Sequence, residues 1–470
     1  MNTFDFDVIV IGSGSGGTAC ALRCADNGKK VLLVDKRGKD GPGGTCVNRG
    51  CIPTKALLRS VRALEDIKKA KKFGIEVKDF DVNFKRVMAS KNKIVQQLNF
   101  GLKQFVIGGR DNIELRVGTK AEILDGHRVK LTGKDGVQEV TAKDGIVIST
   151  GSEPSMIPAF NIDRKNVFTS DEALTLKEVP KDMVVIGAGA IGIEMSTIYN
   201  AMGCKVTIIE AAKDVSPLLQ DASMSKLVAE HLEKEGITVL TDVKIEKVEI
   251  VEDKKVKSYL NNGEILETEN VLVGIGRTSN IYDLGLENVA EVKIERGKIV
   301  INEHMQTGVK SIYAVGDIVA GPQLSHKAQN EGVIAAENIC GNKVTLDYSV
   351  LPWIIFGVPE IAKVGLSEDE ARERGIHVLT GYIQMSANEK AATMQETVGA
   401  MKMTIDKDSR KIIGAILYCT EASSLIGELA MCIKKGTTVE EMATTIHAHP
   451  TLTEAVMECA KKALGTAFHK

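Results

Sequence analysis

One pattern of glycines and apolar runs occurs twice along this chain, and it constrains the fold more than any other feature. Each copy has an apolar run, a G-x-G-x-x-G turn, a helical stretch and a second apolar run ending in an acid 18 positions after the last glycine. Such glycines allow a tight turn, the helix N-terminus binds pyrophosphate, and the acid accepts a ribose hydroxyl. The pattern therefore predicts two dinucleotide sites, with Gly12, Gly14, Gly17 and Asp35 in the first and Gly187, Gly189, Gly192 and Glu210 in the second.

The two copies begin 175 residues apart, too far for neighbouring units of a solenoid. They indicate separate domains in a chain of 470 residues, a length that allows about three domains. Residues 56–110 have a helical pattern, and residues 113–132 are expected to form a small antiparallel insert. From residue 351, alternating apolar stretches indicate an antiparallel sheet with helices. The predicted fold class is α/β, with two Rossmann-like dinucleotide-binding domains and a C-terminal α+β domain.

Two cysteines, Cys46 and Cys51, lie in a glycine-rich stretch at residues 43–55. Five residues of a regular helix rise roughly 7.5 Å, more than the ~4.4–6.8 Å that a disulfide allows between Cα atoms. A bond therefore needs a distorted turn, which Gly50 permits. Pro53 suits a first helical turn, so Cys51 is expected near a helix N-terminus that stabilises a thiolate. The pattern favours a reversible dithiol over two unrelated thiols or half of a metal site, and we expect no metal.

The composition argues against several classes of protein. Hydrophobic and charged contents of 43% and 26% are those of an ordinary globular chain. A net charge of −2 and 4% aromatic residues do not favour nucleic-acid binding. No run of about 18 apolar residues predicts a membrane span, and a first strand near Asp7 leaves no space for a targeting peptide. The seven other cysteines are expected to be buried reduced thiols in a cytoplasmic protein.

Several stretches together resemble the pyridine nucleotide–disulfide oxidoreductases over essentially the whole chain. They are the two glycine turns, residues 43–55, Thr150-Gly151-Ser152, residues 313–317, residues 324–332, and His449-Pro450-Thr451 with Glu454. The resemblance implies bound FAD and NAD and a homodimer. It implies four segments, which are an FAD-binding domain at 1–149, an NAD-binding domain at 150–279, a central segment at 280–348 that completes the FAD site, and an interface domain at 349–470.

The resemblance also implies roles for residues near the flavin. Cys46 resembles the thiol that exchanges with substrate, and Cys51 resembles the thiol that faces the flavin as a charge-transfer thiolate. Lys55 and Glu194 resemble an ion pair beside the flavin. Other implied FAD contacts are Gly12, Gly14, Gly17, Asp35, Thr150, Gly151, Ser152, Asp317, Gln323, Leu324, Ser325 and His326. The implied NAD contacts are Gly187, Gly189, Gly192, Glu194, Glu210, Val243 and Gly276.

His449 resembles the family's base, oriented by Glu454 and supplied by the other subunit. The chemistry agrees, because a thiol of pKa about 8.5 must lose its proton to attack a disulfide. Only histidine titrates unaided near neutrality, and a carboxylate partner fixes its tautomer. The alternative for His449 is a loop contact, and His447 is expected to have such a structural role. His326 is expected to be a structural or flavin-contact residue.

The implied activity is oxidation of a protein-bound dihydrolipoyl dithiol through Cys46 and Cys51, with electrons passing by FAD to NAD. Implied partners are the lipoyl domain and acyltransferase core of a 2-oxo acid dehydrogenase complex, or the lipoyl protein of glycine cleavage. The alternatives are an NADH-dependent reductase of another small disulfide, or chiefly an assembly subunit of such a complex. Glu210, followed by Ala211 and Ala212, favours NAD over NADP. Arg49 could stabilise a thiolate, meet an acidic partner or lie on the surface.

Overall fold

A computed structural model describes residues 4–38 and 41–467. The chain divides into two compact units, each assembled from three segments. The first unit comprises Met1–Ala56, Arg86–Ser155 and Gly276–Asp347, and the second comprises Leu57–Lys85, Met156–Ile275 and Tyr348–Lys470.

The strands of the described residues are numbered in chain order. They are β1 Phe6–Ile11, β2 Val31–Asp35, β3 Ile113–Val117, β4 Lys120–Ile123, β5 Arg128–Gly133, β6 Gly136–Ile148, β7 Ser152–Pro154, β8 Val167–Thr169, β9 Asp182–Ile186, β10 Lys205–Ile209, β11 Thr238–Leu240, β12 Ile245–Glu252, β13 Lys255–Leu260, β14 Ile265–Thr268, β15 Asn270–Val273, β16 Arg277–Ser279, β17 Ile294–Glu295, β18 Lys298–Ile299, β19 Ile312–Ala314, β20 Trp353–Ile355, β21 Glu360–Gly365, β22 Val378–Gln384, β23 Ala400–Asp406 and β24 Ile412–Cys419.

The α-helices of the same residues are numbered likewise. They are α1 Ser15–Asp26, α2 Gly44–Arg49, α3 Cys51–Lys69, α4 Phe84–Gly101, α5 Ser170–Ala173, α6 Ala190–Ala201, α7 Ala222–Lys234, α8 Ser325–Ile339, α9 Glu368–Glu373, α10 Glu389–Met394, α11 Ala422–Lys435, α12 Val439–Thr444 and α13 Glu454–Leu464.

The first unit is built on a parallel sheet in the order β3-β2-β1-β6-β19. Ile9 of β1 lies beside Leu32 and Ile146, and all three side chains are fully buried. From β1 the chain continues to β2 on one side, while β6 lies on the other. The carboxyl end of β1 is therefore a switch point, where ligands bind in open α/β sheets. Gly12, the first glycine of the predicted turn, follows β1 directly.

The predicted antiparallel insert at residues 113–132 is partly wrong. β3 pairs in parallel with β2, with Leu33 opposite Leu115. The chain between them contains α3 and α4, and such a long crossover brings a strand back in the parallel direction. The antiparallel part consists of β4, β5 and the first half of β6.

The second unit contains a parallel sheet, β11-β10-β9-β15-β8, and a three-stranded antiparallel sheet, β12-β13-β14. Its C-terminal part is an antiparallel sheet in the order β20-β21-β24-β23-β22. Met401, Leu417, Leu429 and Val456 are fully buried in one core, which joins this sheet to α11 and α13. The predicted fold class, with two Rossmann-like sheets and a C-terminal α+β domain, is confirmed. None of the helices described is both long and apolar enough to cross a membrane.

The segment Leu57–Lys85 groups with the second unit, although it lies inside residues 1–149. Arg62 illustrates why, since its guanidinium lies 3.5 Å from a carboxylate oxygen of Glu360 and 3.7 Å from one of Glu396. Arg62 and Glu360 are nearly 300 residues apart in the sequence, so no local pattern predicts their contact.

Candidate active site

The cysteine stretch consists of two helices with a break between them. Cys46 lies in α2, and Cys51 is the first residue of α3. Gly50 separates the helices with φ −143° and ψ −106°, which is not helical. The predicted distortion at Gly50 and the predicted helix start at Cys51 are confirmed. No disulfide joins Cys46 and Cys51 in this structure.

The electrostatic environment stabilises a thiolate at Cys46. A hydrogen bond from Cys51 is the largest cause and lowers the pKa of Cys46 to about 6, against the effect of burial. Hydrogen bonds with Ser325 and Ser15 and the charge of Lys55 act in the same direction. The sequence predicts a stabilised thiolate at Cys51, at the helix N-terminus, and this stays a prediction. Ser15 belongs to the first glycine turn and Ser325 to the predicted flavin segment, and their hydroxyls are 2.7 Å apart. Their effect on the pKa of Cys46 is the part that the sequence does not predict.

The cysteine stretch lies against the first glycine turn. The N–H of Gly43 donates to the carbonyl of Ser13 at 2.8 Å. Gly44 has φ +56°, and a Cβ placed on it would lie 2.6 Å from the Cα of Gly14. Only glycine fits both the backbone conformation and the space. This contact brings Cys46 next to the first dinucleotide turn.

In both turns the backbone conformation requires the first glycine, and packing within the protein requires the third. Gly12 and Gly187 have φ of +106° and +98°. A Cβ on Gly17 would lie 1.9 Å from the carbonyl oxygen of Gly12, and one on Gly192 would lie 1.8 Å from that of Gly187. The third glycine therefore lets each helix pack directly on the turn before it.

The middle glycines are not explained by the protein's own packing. A Cβ on Gly189 would meet no heavy atom within 4 Å, and one on Gly14 would meet only the Cα of Gly44, at 3.9 Å. Both residues cap the N-termini of helices, α6 and α1 respectively. A bound pyrophosphate fits this open space in front of helix amides, so the residues present fit FAD at the first turn and NAD at the second.

The two predicted acids occupy equivalent places. Asp35 accepts hydrogen bonds from the N–H groups of Ser13 and Arg37, both at 2.9 Å, and from the hydroxyl of Ser13 at 2.6 Å. Glu210 accepts from the N–H groups of Ala188 and Ala212 at 2.7 and 2.8 Å. Each carboxylate thus links the end of its strand to the middle of the glycine turn.

The carboxylate of Asp317 is held by contacts within the first unit. Ser152 donates to its Oδ2 at 2.5 Å, and its carbonyl accepts from Ser279 at 2.7 Å and Lys298 at 2.6 Å. In the part of the chain that is described, its Oδ1 accepts no hydrogen bond, which leaves an acceptor for a ligand hydroxyl. Arg277 fixes Ser152 through bonds of 2.8 and 2.7 Å to its hydroxyl and carbonyl. Sequence reasoning missed Ser279 and Lys298, for which no spacing signal exists.

A cavity of about 320 Å³ lies in the first unit between the glycine turn and the strand ends. Thr150 and Gly151 line it and are tied to Asn280, whose carbonyl accepts from the Thr150 hydroxyl at 2.6 Å. Six of the implied FAD contacts line this cavity, and the other implied contacts do not. Its lining includes Gly12, Gly14, Asp35, Gly44, Thr150, Gly151, Ser152 and Asn280.

The predicted flavin segment forms the start of α8. Leu324 is the N-cap, and the hydroxyl of Ser325 lies 2.7 Å from that of Ser15. Gln323 donates to the carbonyl of Arg277 at 3.3 Å. The structure therefore places residues 323–326 at the junction of α8 with α1, on the side of Cys46.

His449 and Glu454 form the predicted pair in the second unit. Nδ1 of His449 lies 3.0 Å from Oε1 of Glu454, whose other oxygen accepts from the N–H of Thr451 at 2.8 Å. The Glu454 carboxylate raises the pKa of His449. The imidazole is 61% exposed, and its Nε2 lies 3.2 Å from a carboxylate oxygen of Glu389, a contact that sequence reasoning missed. Glu454 thus fixes the Nδ1 side of the exposed imidazole, and the Nε2 side faces the carboxylate of Glu389.

The other predicted residues have these positions. His447 lies 3.0 Å from the carbonyl of Thr445 and 2.9 Å from Glu428 and is largely buried, in agreement with a structural role. Arg49 meets an acidic partner, Glu153, at 3.4 Å.

The predicted ion pair of Lys55 and Glu194 stays a prediction, because the two residues belong to different units. Glu194 is buried and accepts from the N–H of Phe356 at 2.9 Å. Val243 donates its N–H to the carbonyl of Glu210 at 3.1 Å. Gly276 has φ +112°. Among the residues described, no group of His, Cys, Asp and Glu is arranged to hold a metal ion.

Comparisons with known proteins agree with this geometry. A family model described as pyridine nucleotide-disulphide oxidoreductase matches residues 6–332, and the model of that family's dimerisation domain matches residues 351–460. Dihydrolipoyl dehydrogenases of Geobacillus stearothermophilus and Bacillus subtilis are 38% and 36% identical, covering 98% and 99% of this chain and 97% and 99% of the relatives. The copper complex of the flavoprotein disulfide reductase RclA from Escherichia coli superposes with a TM-score of 0.87 at 25% identity, covering 98% of this chain and 99% of that one. The chain therefore belongs to the pyridine nucleotide-disulphide oxidoreductase family.

Proposed function

We propose that this protein oxidises dihydrolipoyl groups and reduces NAD, using Cys46 and Cys51 as its redox pair. The observation that carries the proposal is the thiolate environment of Cys46, which lies beside the first glycine turn. Relatives that bear the name dihydrolipoyl dehydrogenase match over nearly the full length of the chain, which supports the same activity here.

FAD and NAD are the cofactors. The first turn, Asp35 and Asp317 would hold FAD, and the second turn with Glu210 would hold NAD. When bound, FAD takes the electron pair of the dithiol and NAD accepts it as a hydride. The chain's own contribution is to bind and orient these groups and to stabilise the Cys46 thiolate.

The thiol chemistry divides into two exchanges. A substrate thiolate attacks Sγ of Cys46 in the oxidised pair, which breaks the disulfide and releases the Cys51 thiolate. The second substrate thiol, deprotonated by Nε2 of His449 from the other subunit, then attacks the substrate's own sulfur and releases the Cys46 thiolate. The products are the oxidised lipoyl disulfide, the reduced cysteine pair and a protonated His449. Glu454 stabilises that imidazolium and keeps Nε2 directed at the substrate.

The match to the dimerisation domain supports a homodimer. The partners that fit the activity are a lipoyl domain with the acyltransferase core of a 2-oxo acid dehydrogenase complex, or the lipoyl protein of glycine cleavage. The seven thiols outside the redox pair, five of them buried, support the reducing interior of the cytoplasm as its location.

The test compares substrates on the purified holoenzyme. We expect rapid NAD reduction with a lipoyl domain carrying dihydrolipoamide, slow turnover with glutathione disulfide and NADH, and a preference for NAD over NADP of about 10²-fold, because Glu210 repels a 2′-phosphate. Preference for glutathione disulfide would favour the alternative of a general disulfide reductase. Capture by an acyltransferase core without turnover on free dihydrolipoamide would favour the assembly subunit.

A further inference from the structure

A fully buried ion pair lies in α8, and the proposed chemistry gives it no part. Nζ of Lys327 lies 2.7 Å from a carboxylate oxygen of Glu331, one helical turn later, and the side chains are 1% and 0% exposed. Removing two charges from water carries a large desolvation penalty, so a buried pair is weak evidence for added stability. What the pair contacts is therefore more informative than the pair itself.

Both members of the pair hold the same residue, Gly316. Oε2 of Glu331 accepts from the N–H of Gly316 at 2.7 Å, and Nζ of Lys327 lies 3.4 Å from the carbonyl oxygen of Gly316. Gly316 has φ +85°, so its backbone is in a region that many side chains avoid. The pair thus fixes the peptide groups on both sides of this residue.

Gly316 directly precedes Asp317, whose carboxylate is the proposed FAD contact. The carbonyl of Asp317 is held by Ser279 and Lys298, and its Oδ2 by Ser152. The backbone is therefore held on both sides of the Asp317 Cα, and the bond from Ser152 limits the positions that the carboxylate can take.

The same helix also supports the redox cysteine. Ser325, two residues before Lys327, is one of the hydrogen-bond partners that lower the pKa of Cys46. A shift of α8 relative to Gly316 would therefore move the Cys46 support and the Asp317 carboxylate independently. The ion pair opposes such a shift, because it joins α8 to Gly316 by a charge-assisted hydrogen bond of 2.7 Å from Glu331 and a longer contact of 3.4 Å from Lys327.

We propose that Lys327 and Glu331 are positioning residues for FAD, which orient Asp317 and keep it in register with Cys46. This proposal rests on the FAD site of the proposed function, and it is independent of which dithiol is the substrate.

The test uses the holoenzyme and a double variant, Lys327→Met with Glu331→Leu, which replaces the pair by apolar side chains of similar size. The matched control is the double variant Lys363→Met with Glu370→Leu in the second unit. The side chains of Lys363 and Glu370 are 2.6 Å apart and 4% and 16% exposed. Flavin release on dilution gives the FAD affinity, thermal unfolding with excess FAD reports on the fold, and NADH binding reports on the second turn.

We expect the Lys327/Glu331 double variant to bind FAD about 10- to 100-fold more weakly, the loss expected from one misplaced charge-assisted hydrogen bond. Its NADH binding and its unfolding with excess FAD should match those of the control. Glu331→Gln, whose amide oxygen still accepts from Gly316, should lose less affinity than Glu331→Leu, and this comparison decides the question if the double variant does not fold. Native FAD affinity in the double variant, or equal losses in Gln and Leu, would overturn the proposal. A native protein that binds no FAD would refute the proposed function instead.

Discussion

At the scale of single residues, the lowered pKa of Cys46 can be tested directly. Its lowered pKa predicts that alkylation of the reduced protein by iodoacetamide rises with pH around a midpoint of about 6, because only the thiolate reacts. Ser325→Ala removes one stabilising hydrogen bond and should move the midpoint upward. Cys204 is an internal control, since burial raises its pKa to about 12. Mass spectrometry of the labelled peptides gives both rates, and a Cys46 midpoint near the usual ~8.5 would contradict the assignment.

His449 predicts a pH dependence of the dithiol half-reaction. The base must be neutral to accept a proton, and its pKa is raised by Glu454, so activity should fall as the pH drops through a value above the ordinary ~6.5. Glu454→Gln removes the carboxylate charge, lowers that pKa and should move the acid limb to lower pH.

His449→Ala should slow dithiol oxidation by about 10²–10⁴, and Glu454→Gln should slow it less. The profile of kcat against pH measures this, with Glu428→Gln beside His447 as the control. An acid limb that stays in place in Glu454→Gln would rule out this pairing.

For single residues, the sequence predicts those that occur at fixed spacings within a motif. The glycines of the two turns, Asp35 and Glu210 are specified because a strand, a turn and a helix require them in that order. Lys298, which donates to the carbonyl of Asp317, and Glu389, the second carboxylate at His449, are not specified in this way. They reach their partners from other segments of the chain, and their residue types have no pattern of their own.

Among the elements, α2 depends on its close approach to the first turn. Gly44→Ala would place a Cβ 2.6 Å from the Cα of Gly14 and force a left-handed backbone on alanine. Gly136→Ala is the matched control, because Gly136 also has a positive φ, +101°, but no atom within 4 Å of its Cβ position. We expect Gly44→Ala to lower the free energy of unfolding by about 1–3 kcal/mol more than the control and to weaken FAD binding. Chemical denaturation of both proteins measures the difference, and equal losses would show that the contact is unimportant.

A helix or strand is predictable where one local pattern determines it. It is not predictable where its pairing with a partner strand determines it. β1, β2 and β9 follow from short apolar runs before or after the glycine turns. β3 has the same kind of apolar alternation as β4 and β5, but it pairs with β2 in parallel. Strand direction depends on the crossover through α3 and α4, which residues 113–117 do not encode.

For the whole molecule, the central expectation is that one active site uses residues of two subunits. A heterodimer of one Cys46→Ser chain and one His449→Ala chain would combine both lesions in one site and leave the other intact, because the two-fold axis relates the sites. We expect about half of the native activity in the purified heterodimer, against the low activity of either mutant homodimer. Activity that stays at the mutant level, with FAD bound and the dimer intact, would show that each chain completes its own site.

From the sequence, only the two repeated turns predict how the chain divides into units. The two Rossmann-like sheets follow from the two copies, but Leu57–Lys85 groups with the second unit through contacts such as that of Arg62 with Glu360. Such contacts between remote segments decide the boundaries.

A single turnover without oxygen shows whether the electrons of the dithiol pass through Cys46 and Cys51 to NAD. The holoenzyme is reduced with dihydrolipoamide, freed of excess dithiol and mixed with NAD, and the NADH formed is measured against bound FAD. We predict about one NADH per FAD for the native protein, because the electron pair is held between the cysteine pair and the flavin, and none for Cys51→Ser that retains FAD. NADH formation by Cys51→Ser at the native yield, or none from native holoenzyme, would contradict electron transfer through the cysteine pair.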